Sequence, residues 1–113
     1  MAFVLKQSDT YSWPVKVELP TDGGRVDVQT FDATFKRLSQ TRVNELIEGA
    51  QAGAITDRQV CVEIVTGWAG VLDDGADVPF SASALASLLD VPGVERGILQ
   101  AWFESLAGAK RKN

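Results

Sequence analysis

Apolar and polar residues alternate along two stretches near the N-terminus. Residues 15–19 place an apolar side chain at every second position with charged residues between them, and residues 25–30 alternate in a similar way. Residues 20–24, Pro-Thr-Asp-Gly-Gly, combine a restricted φ with positions that tolerate a positive φ. The pattern predicts a β-hairpin in which Val26 and Val28 face the apolar residues of the first strand.

An isolated hairpin is only marginally stable in water, so its apolar face must pack on another element. The run Phe-Val-Leu-Lys-Gln at residues 3–7 predicts a short strand that could supply part of that surface. Helices further along the chain would supply the rest.

From Phe31 the apolar positions recur at steps of three and four residues. They are Phe35, Leu38, Val43, Leu46, Ile47 and Ala50. One helix over about residues 32–52 fits this spacing, and Gly53 is a good left-handed stop. The stretch Ser-Gln-Thr at residues 39–41 could break it into two helices.

Thr56 and Gln59 have the spacing of a capping box, so a second helix begins there. Its apolar stripe continues to Trp68, and the Gly-Trp-Ala-Gly stretch at residues 67–70 loosens its end. We expect Trp68 to anchor this corner and to lie mainly in the core.

An acidic, glycine-containing turn follows at residues 73–77. Asp74-Gly75 suits a two-residue turn between short extended segments. A calcium loop is excluded by the spacing, because Gly70 would take the position that needs aspartate and Ser81 the position that needs glutamate.

Ser81 caps a third, short helix, and a last helix over about residues 92–107 has a proline in its first turn. Adjacent helical positions diverge by about 100°, so the rings of Trp102 and Phe103 cannot share one narrow stripe. Either a broad arc of this helix is buried, or one of the two aromatic side chains faces a partner.

Together these elements predict an α+β fold, an N-terminal β-hairpin packed on a small bundle of about four α-helices. With 113 residues, 45% of them hydrophobic and 23% charged, the chain has the size and composition of one globular domain. We expect residues 1–113 to form a single domain with a flexible basic tail at residues 109–113.

Residue types that support catalysis or metal binding are scarce. The sequence has no histidine, which removes the commonest general base and the commonest transition-metal ligand. Its single cysteine, Cys61, cannot form an internal disulfide or a thiolate zinc cluster, and its apolar neighbours indicate a buried thiol. No nucleophile motif is present either. We therefore expect no catalytic residues, no cofactor and no metal.

Charge is distributed unevenly along the chain. Residues 43–109 carry two basic and ten acidic residues, a net charge of −8, whereas the whole chain has a net charge of −4. An acidic centre disfavours binding to nucleic-acid phosphates. No stretch approaches the roughly 20 apolar residues that span a bilayer, and no signal peptide is apparent. We expect a cytoplasmic protein without a nucleic-acid or membrane partner.

Five short stretches are distributed over nearly the whole chain: WPVKV at 13–17, PTDGG at 20–24, TFDATFKRL at 30–38, GWAGV at 67–71 and AWFESL at 101–106. In this order they resemble the tail assembly chaperones of long-tailed bacteriophages and prophages. All five are structural rather than catalytic, so the likeness lies in their joint order.

The resemblance implies a non-virion protein in the cytoplasm of the infected or lysogenic bacterial host. Its partner would be the tape measure protein, a long helical and aggregation-prone chain that it keeps soluble while the tail tube assembles. Apolar surface on such a client associates with itself in water, so reversible binding by many small acidic domains would keep client molecules apart. We expect the contact surfaces at the exposed flank of the last helix, at Trp102 or Phe103, and around Trp68.

In related phages a translational frameshift extends a fraction of the chaperone near its end, and the extension recruits tube subunits. Lys112-Asn113 can be encoded AAA-AAC, and a codon for Arg111 can end in A, which would complete a slippery sequence. The hypothesis follows that a longer form binds the tail tube protein. Weak self-association is a further expectation.

The acidic centre also supports a second class, an acidic protein-binding inhibitor or nucleic-acid mimic. Such a protein would present spaced carboxylates on an exposed surface and bind a basic enzyme with a strong dependence on salt. Here ten acids are spread over residues 43–109 and interrupted by apolar positions, which is a weaker signal than the family resemblance. An enzyme has the least support, because histidine and nucleophile motifs are missing.

Overall fold

The computed structural model describes residues 2–108. Its elements in chain order are β1 (Thr10–Thr21), β2 (Arg25–Lys36), α1 (Gln40–Gln51), α2 (Asp57–Ile64), β3 (Val65–Ala69), β4 (Leu72–Asp73), β5 (Ala76–Asp77), α3 (Ala82–Leu89) and α4 (Val94–Ala107). β2 is the central strand of an antiparallel sheet of order β1-β2-β3, and β4 pairs with β5. The N-terminal hairpin and the four helices confirm the predicted α+β fold.

Both hairpin strands are twelve residues long, and β2 extends past the predicted change of period. The prediction of one helix over residues 32–52 is therefore wrong in its first part. Phe31, Ala33 and Phe35 alternate toward the core, and β3 pairs with this part of β2. Pairing on both sides satisfies the backbone groups of an extended segment, which overrides the helical spacing of its apolar residues.

The first helix begins at the break that the sequence indicates. The Ser39 hydroxyl accepts a hydrogen bond from the Arg42 backbone amide at 3.1 Å and so caps α1. Gly53, with a φ of 78°, follows the end of this helix as predicted. Residues 39–41 thus mark the boundary between a strand and a helix, not between two helices.

The register of the hairpin turns two valines away from the core. Val28 lies opposite Glu18 and Val26 lies opposite Pro20, so both valines are on the face opposite to that of Val15. The prediction that they face the apolar residues of the first strand is wrong. Apolar side chains occupy even positions at the start of β2 and odd positions from residue 31. Even and odd positions of a strand lie on opposite faces, so only the apolar residues at odd positions can face the core.

The second helix begins as predicted and ends earlier. The Thr56 hydroxyl accepts from the Gln59 amide at 3.1 Å and the Gln59 side chain accepts from the Thr56 amide at 2.8 Å, which confirms the capping box. α2 stops at Ile64, and Val65–Ala69 forms β3 against β2. The predicted helical stripe to Trp68 is wrong beyond Ile64, because the edge of β2 offers this segment a ladder of backbone hydrogen bonds.

Two local predictions in the second half of the chain are confirmed. Asp74, with a φ of 55°, and Gly75, with a φ of 80°, form the tight turn that joins β4 to β5. The Ser81 hydroxyl accepts from the Ala84 amide at 3.0 Å and caps α3.

The predicted strand at residues 3–7 is wrong, since this stretch forms no strand. Lys36, the last residue of β2, lies opposite Thr10, so the hairpin offers no partner strand to the residues before it. Phe3 and Leu5 are exposed to solvent as a result.

The last helix, α4, packs closely along β1 in a contact that we call the β1 seam, formed by Gly93 and Gly97 against residues 16–18. A Cβ atom on Gly97 would lie 2.5 Å from the backbone carbonyl oxygen of Lys16, and one on Gly93 would lie 3.1 Å from that of Glu18. Glycine at these positions lets the backbone of the helix approach the strand. The two carbonyl groups therefore point toward α4 and away from β2.

A single core joins the hairpin to the helices. The hairpin strands and β3 contribute to it together with all four helices. Its buried members are Val15, Val17, Ala33, Phe35, Val43, Leu46, Val60, Cys61, Ile64, Val65, Leu85, Leu89, Val94, Ile98, Ala101 and Trp102.

Candidate functional site

An apolar groove of about 270 Å³ lies between α1, the start of α2 and α4. We call it the α4 groove. Its lining is apolar except for Gln51 and Asp57, and its other lining residues are Leu46, Ile47, Ala50, Val60, Leu99, Trp102 and Phe103.

Trp102 and Phe103 both line this groove but differ in exposure. Trp102 is 1% exposed and belongs to the buried floor, whereas Phe103 is 47% exposed and stands at the rim. Their ring centroids are 5.3 Å apart. Consecutive positions on a helix diverge by about 100°, so one ring enters the core while the other meets solvent. Of the two arrangements that the sequence allows, the structure shows one aromatic facing outward.

The outward side of α4 carries an apolar stripe through Phe103. Leu99 lies one turn before it and lines the groove, and Leu106, which is 46% exposed, lies one turn after it. Residues at i, i+4 and i+7 share one face of a helix. Such a stripe is the pattern with which one amphipathic helix packs on another.

Trp68 lies on β3, opposite Ala33 of the hairpin, and is half-buried. Its indole N–H donates a hydrogen bond to the Val78 carbonyl oxygen at 2.8 Å. Its ring packs edge-on against Phe31 and Phe80, with centroid distances of 6.5 and 5.0 Å. These contacts tie β3 to the hairpin and to the segment before α3. Trp68 does not line the α4 groove, so the structure brings together two of the three predicted contact residues.

Asp57 is the charged residue among those lining the α4 groove. The arginines of α1 and α2 are held by carboxylates. Arg42 donates two hydrogen bonds of 2.7 Å to Glu63, and Arg58 donates one of 2.7 Å to Glu95. Hydrogen bonds from Arg42 lower the pKa of the Glu63 carboxyl below its ordinary value. The Arg42–Glu63 pair thus links α1, one wall of the groove, to α2.

A second groove, of about 480 Å³, also reaches Trp102 and has a more polar lining. Its lining includes Lys36 and Arg37 as well as Leu106 of α4. The Arg37 guanidinium lies 4.8 Å from the centroid of the Tyr11 ring. This stacking occupies the cation with an aromatic face of the protein itself. The α4 groove is the more apolar of the two, so it is the better candidate for binding an apolar partner.

The predicted buried thiol is confirmed at Cys61, which lies in the core. Burial raises the pKa of this thiol to about 12, so the thiol stays protonated at neutral pH. Within residues 2–108, no group of three or more His, Cys, Asp or Glu side chains is placed to hold a metal ion. No helix in that range is long and apolar enough to cross a membrane.

Sequence reasoning identifies the α4 side of the groove but not its α1 side. The apolar stripe of α1 predicts buried positions throughout, yet Ile47 and Ala50 are only half-buried and line the groove. Four apolar positions between Val43 and Ala50 make a stripe broad enough to serve both a core and a groove. That breadth is the signal from which the second wall could have been found.

The whole chain, residues 1–113, matches a family model described as phage tail assembly chaperone. The match includes the five stretches quoted above, among them the stretch that carries Trp102 and Phe103. Comparisons with curated proteins and with solved structures found no significant match.

Proposed function

Because this chain belongs to the phage tail assembly chaperone family, we propose that it binds the tape measure protein and keeps it soluble until the tail tube forms. Family membership implies protein partners in tail assembly and a non-catalytic role. The observation that supports a helical client is the apolar stripe of Leu99, Phe103 and Leu106 on α4, of which Leu99 and Phe103 line the α4 groove.

The groove has the form used in helix recognition. An amphipathic helix binds by laying its apolar face between two helices, with side chains at i, i+3 or i+4, and i+7 as anchors. Phe103 at the rim offers an aromatic anchor, and Trp102 beneath it is fixed by burial in the core. A rigid floor lowers the conformational entropy lost on binding.

The charge of the helical part supports the solubilising role. Residues 40–107 carry ten acidic and three basic residues, so many bound copies would give the client a large negative charge. Like charges keep such complexes apart, while the apolar stripe of the client stays covered. Several carboxylates of this part pair with Arg42 and Arg58 within the molecule, which weakens the alternative of an acidic mimic.

Reversible release follows from the size of the site. A groove of about 270 Å³ covers only a short segment of helix, and small interfaces bind weakly. Tube subunits can therefore replace the chaperone one copy at a time as the tube grows along the client.

The test is coexpression with the tape measure protein from the same genome. With the unmodified chaperone we expect the client in the soluble fraction and a complex that co-purifies. A Phe103→Ser/Leu106→Ser variant should lose both, because it removes the exposed anchors, and its own stability should change by about 1 kcal/mol or less. A matched control is Val62→Ser, which alters an exposed apolar residue that does not line the groove.

The outcomes separate the parts of the proposal. A client that stays insoluble and uncomplexed with the unmodified chaperone contradicts the function. A double-serine variant that co-purifies as well as Val62→Ser contradicts the α4 groove as the site. If Trp68→Ala folds with unchanged stability but loses the client, the Trp68 region is the contact surface instead.

We further propose that the protein acts in the cytoplasm of the infected or lysogenic host and is left out of the virion. A longer form made by frameshifting at codons 111–113 would bring the tail tube protein to the client. Those residues, like the rest of the basic tail at 109–113, lie outside the part that the structure describes. The nucleotide sequence of the three codons tests this. Codons that do not form a slippery sequence would contradict the frameshift hypothesis.

A further inference from the structure

The two long edges of the hairpin are covered to different extents. Along β1, the carbonyl groups of Lys16 and Glu18 face the helix α4 in the β1 seam. Pro14 and Pro20 leave two gaps in the row of N–H groups on this strand. A helix and two prolines therefore close the β1 edge to a further strand.

The β2 edge is covered only near its C-terminal end. β3 pairs with residues 32–35 of β2. Next to it, residues 29–31 share a groove with Gly70, Val71 and Leu72. Residues 25–28 pair with β1 on one side, and no strand of the described chain lies on their other side. We call this stretch the open β2 edge.

Even-numbered residues of β2 direct their backbone groups to the open side. The Thr34 carbonyl oxygen accepts a hydrogen bond from the Thr66 hydroxyl of β3 at 3.3 Å, so it points away from β1. The register with β1 is continuous along the strand. Val26 and Val28 therefore share this orientation and direct their N–H and C=O groups away from β1 on the side where no strand pairs.

Two exposed valines and two residues of opposite charge lie beside these backbone groups. Val26 and Val28 are 57% and 52% exposed. Arg25 and Asp27 flank Val26 on the opposite face of the strand and are exposed as well. An exposed strand edge that carries apolar residues is a template for pairing with another chain.

We infer that the open β2 edge pairs antiparallel with the same edge of a second copy, with Val26 of each copy on the two-fold axis. Val26 then exchanges both backbone hydrogen bonds with its counterpart, and each Arg25 lies opposite Asp27 of the second copy. Centring the pair on Asp27 would oppose two carboxylates, and centring it on Val28 would place Arg25 opposite Phe31. Charge complementarity thus selects a second copy in the Val26 register.

This association is weak and leaves the α4 groove free. Because β2 begins at Arg25, only residues 25–27 of the two strands pair in this register, and Gly24 of the turn lies opposite Val28. Such a contact is far below the area of a permanent dimer interface. No residue of β2 lines the groove. A dimer would therefore present two grooves to one long client, which raises the effective affinity without new contacts.

The test is sedimentation velocity on the full chain without a client, from about 10 μM to about 1 mM, where small interfaces associate. We expect a concentration-dependent monomer–dimer equilibrium. Arg25→Asp and Asp27→Arg should each weaken dimerisation about tenfold or more, since like charges then face each other twice. The double variant, Arg25→Asp/Asp27→Arg, should restore the dissociation constant to within about threefold.

Two controls keep the test specific. Lys6→Asp makes the same change of charge as Arg25→Asp outside the hairpin and should leave dimerisation unchanged. Thermal unfolding of each variant shows whether it is folded. A chain that stays monomeric throughout the range overturns the inference, as do single reversals without effect or a double variant as weak as the singles. None of these results depends on whether the client binds.

Discussion

The two sides of α4 are built in opposite ways. On the β1 seam, Gly97 brings the helix against the strand so closely that an added Cβ would lie 2.5 Å from the Lys16 carbonyl oxygen. On the side facing α1, Phe103 stays about half exposed beside an open groove. One helix thus uses its closed side to hold the hairpin and leaves its open side available. An apolar surface can stay exposed here because the rest of its helix is already anchored.

The largest expected effect comes from Trp102, which lies beneath the open side. It is buried, lines the α4 groove and belongs to the core. Trp102→Ala should lower the free energy of unfolding by about 3–5 kcal/mol, because it leaves a large cavity. Urea unfolding followed by circular dichroism measures this. Phe103→Ala is the matched control and should cost about 1 kcal/mol or less. Equal losses in the two variants would contradict the contrast between floor and rim.

A smaller effect tests the closed side. Gly97→Ala places a methyl group against backbone, which cannot move as a flexible side chain could. We expect a loss of about 2 kcal/mol, since overpacking outweighs the better helix propensity of alanine. Gln100→Ala alters an exposed position of the same helix and should change stability by about 0.5 kcal/mol or less. A Gly97→Ala protein as stable as this control would mean that the seam is loose.

The smallest effect concerns the wall of the open side, where Arg42 ties α1 to α2 through Glu63. Hydrogen bonds from Arg42 lower the pKa of Glu63 in the folded protein. The ion pair therefore stabilises the fold above the ordinary glutamate pKa of about 4.3, and this stabilisation is lost as the pH falls through the lowered pKa of the folded state. Glu63→Gln should therefore destabilise the protein at pH 7 by about 1 kcal/mol or less. The variant should also lose less stability than the unmodified protein when the pH is lowered.

Urea unfolding at pH 7 and near pH 3 measures this difference. The control is Glu48→Gln, an exposed position on α1 outside the ion pairs that the structure shows among the described residues. If Glu63→Gln and Glu48→Gln lose stability in parallel with falling pH, the ion pair does not hold the groove wall.

Local signals predicted the starts of two helices and one tight turn correctly. Thr56 and Ser81 cap helices in the structure, and Asp74-Gly75 forms its tight turn. In each case the side chain or the allowed φ acts on backbone atoms within a few residues. Tertiary packing has little influence on such motifs, so a sequence is enough to find them.

Predictions that depended on periodicity were less secure. The spacing of Phe35 and Leu38 fits a helix, yet Phe35 lies on β2. Trp68 continues the stripe of α2 by spacing, yet it lies on β3 beside Ala33. Short apolar segments fit both periods, and the choice depends on whether a partner strand is within reach.

The candidate site divides in the same way. The pair Trp102-Phe103 could be singled out from sequence, because two adjacent aromatics on one helix cannot both enter a narrow core. Neither helix alone shows which of the two aromatic side chains is exposed. Nor does either helix alone show that Ile47 and Ala50 of α1 form the facing wall. A groove is a property of two elements and of the distance between them.

The sequence by itself determined the α+β class, the hairpin turn, the helix caps, the buried thiol and the resemblance to tail assembly chaperones. Only the tertiary structure decided that residues 32–36 and 65–69 pair as strands, that Val26 and Val28 of β2 face solvent, and that α4 has a closed and an open side. The physical reason is range. Caps and turns are settled by atoms a few bonds apart, whereas register, burial and grooves depend on backbone partners that meet only when the chain has folded.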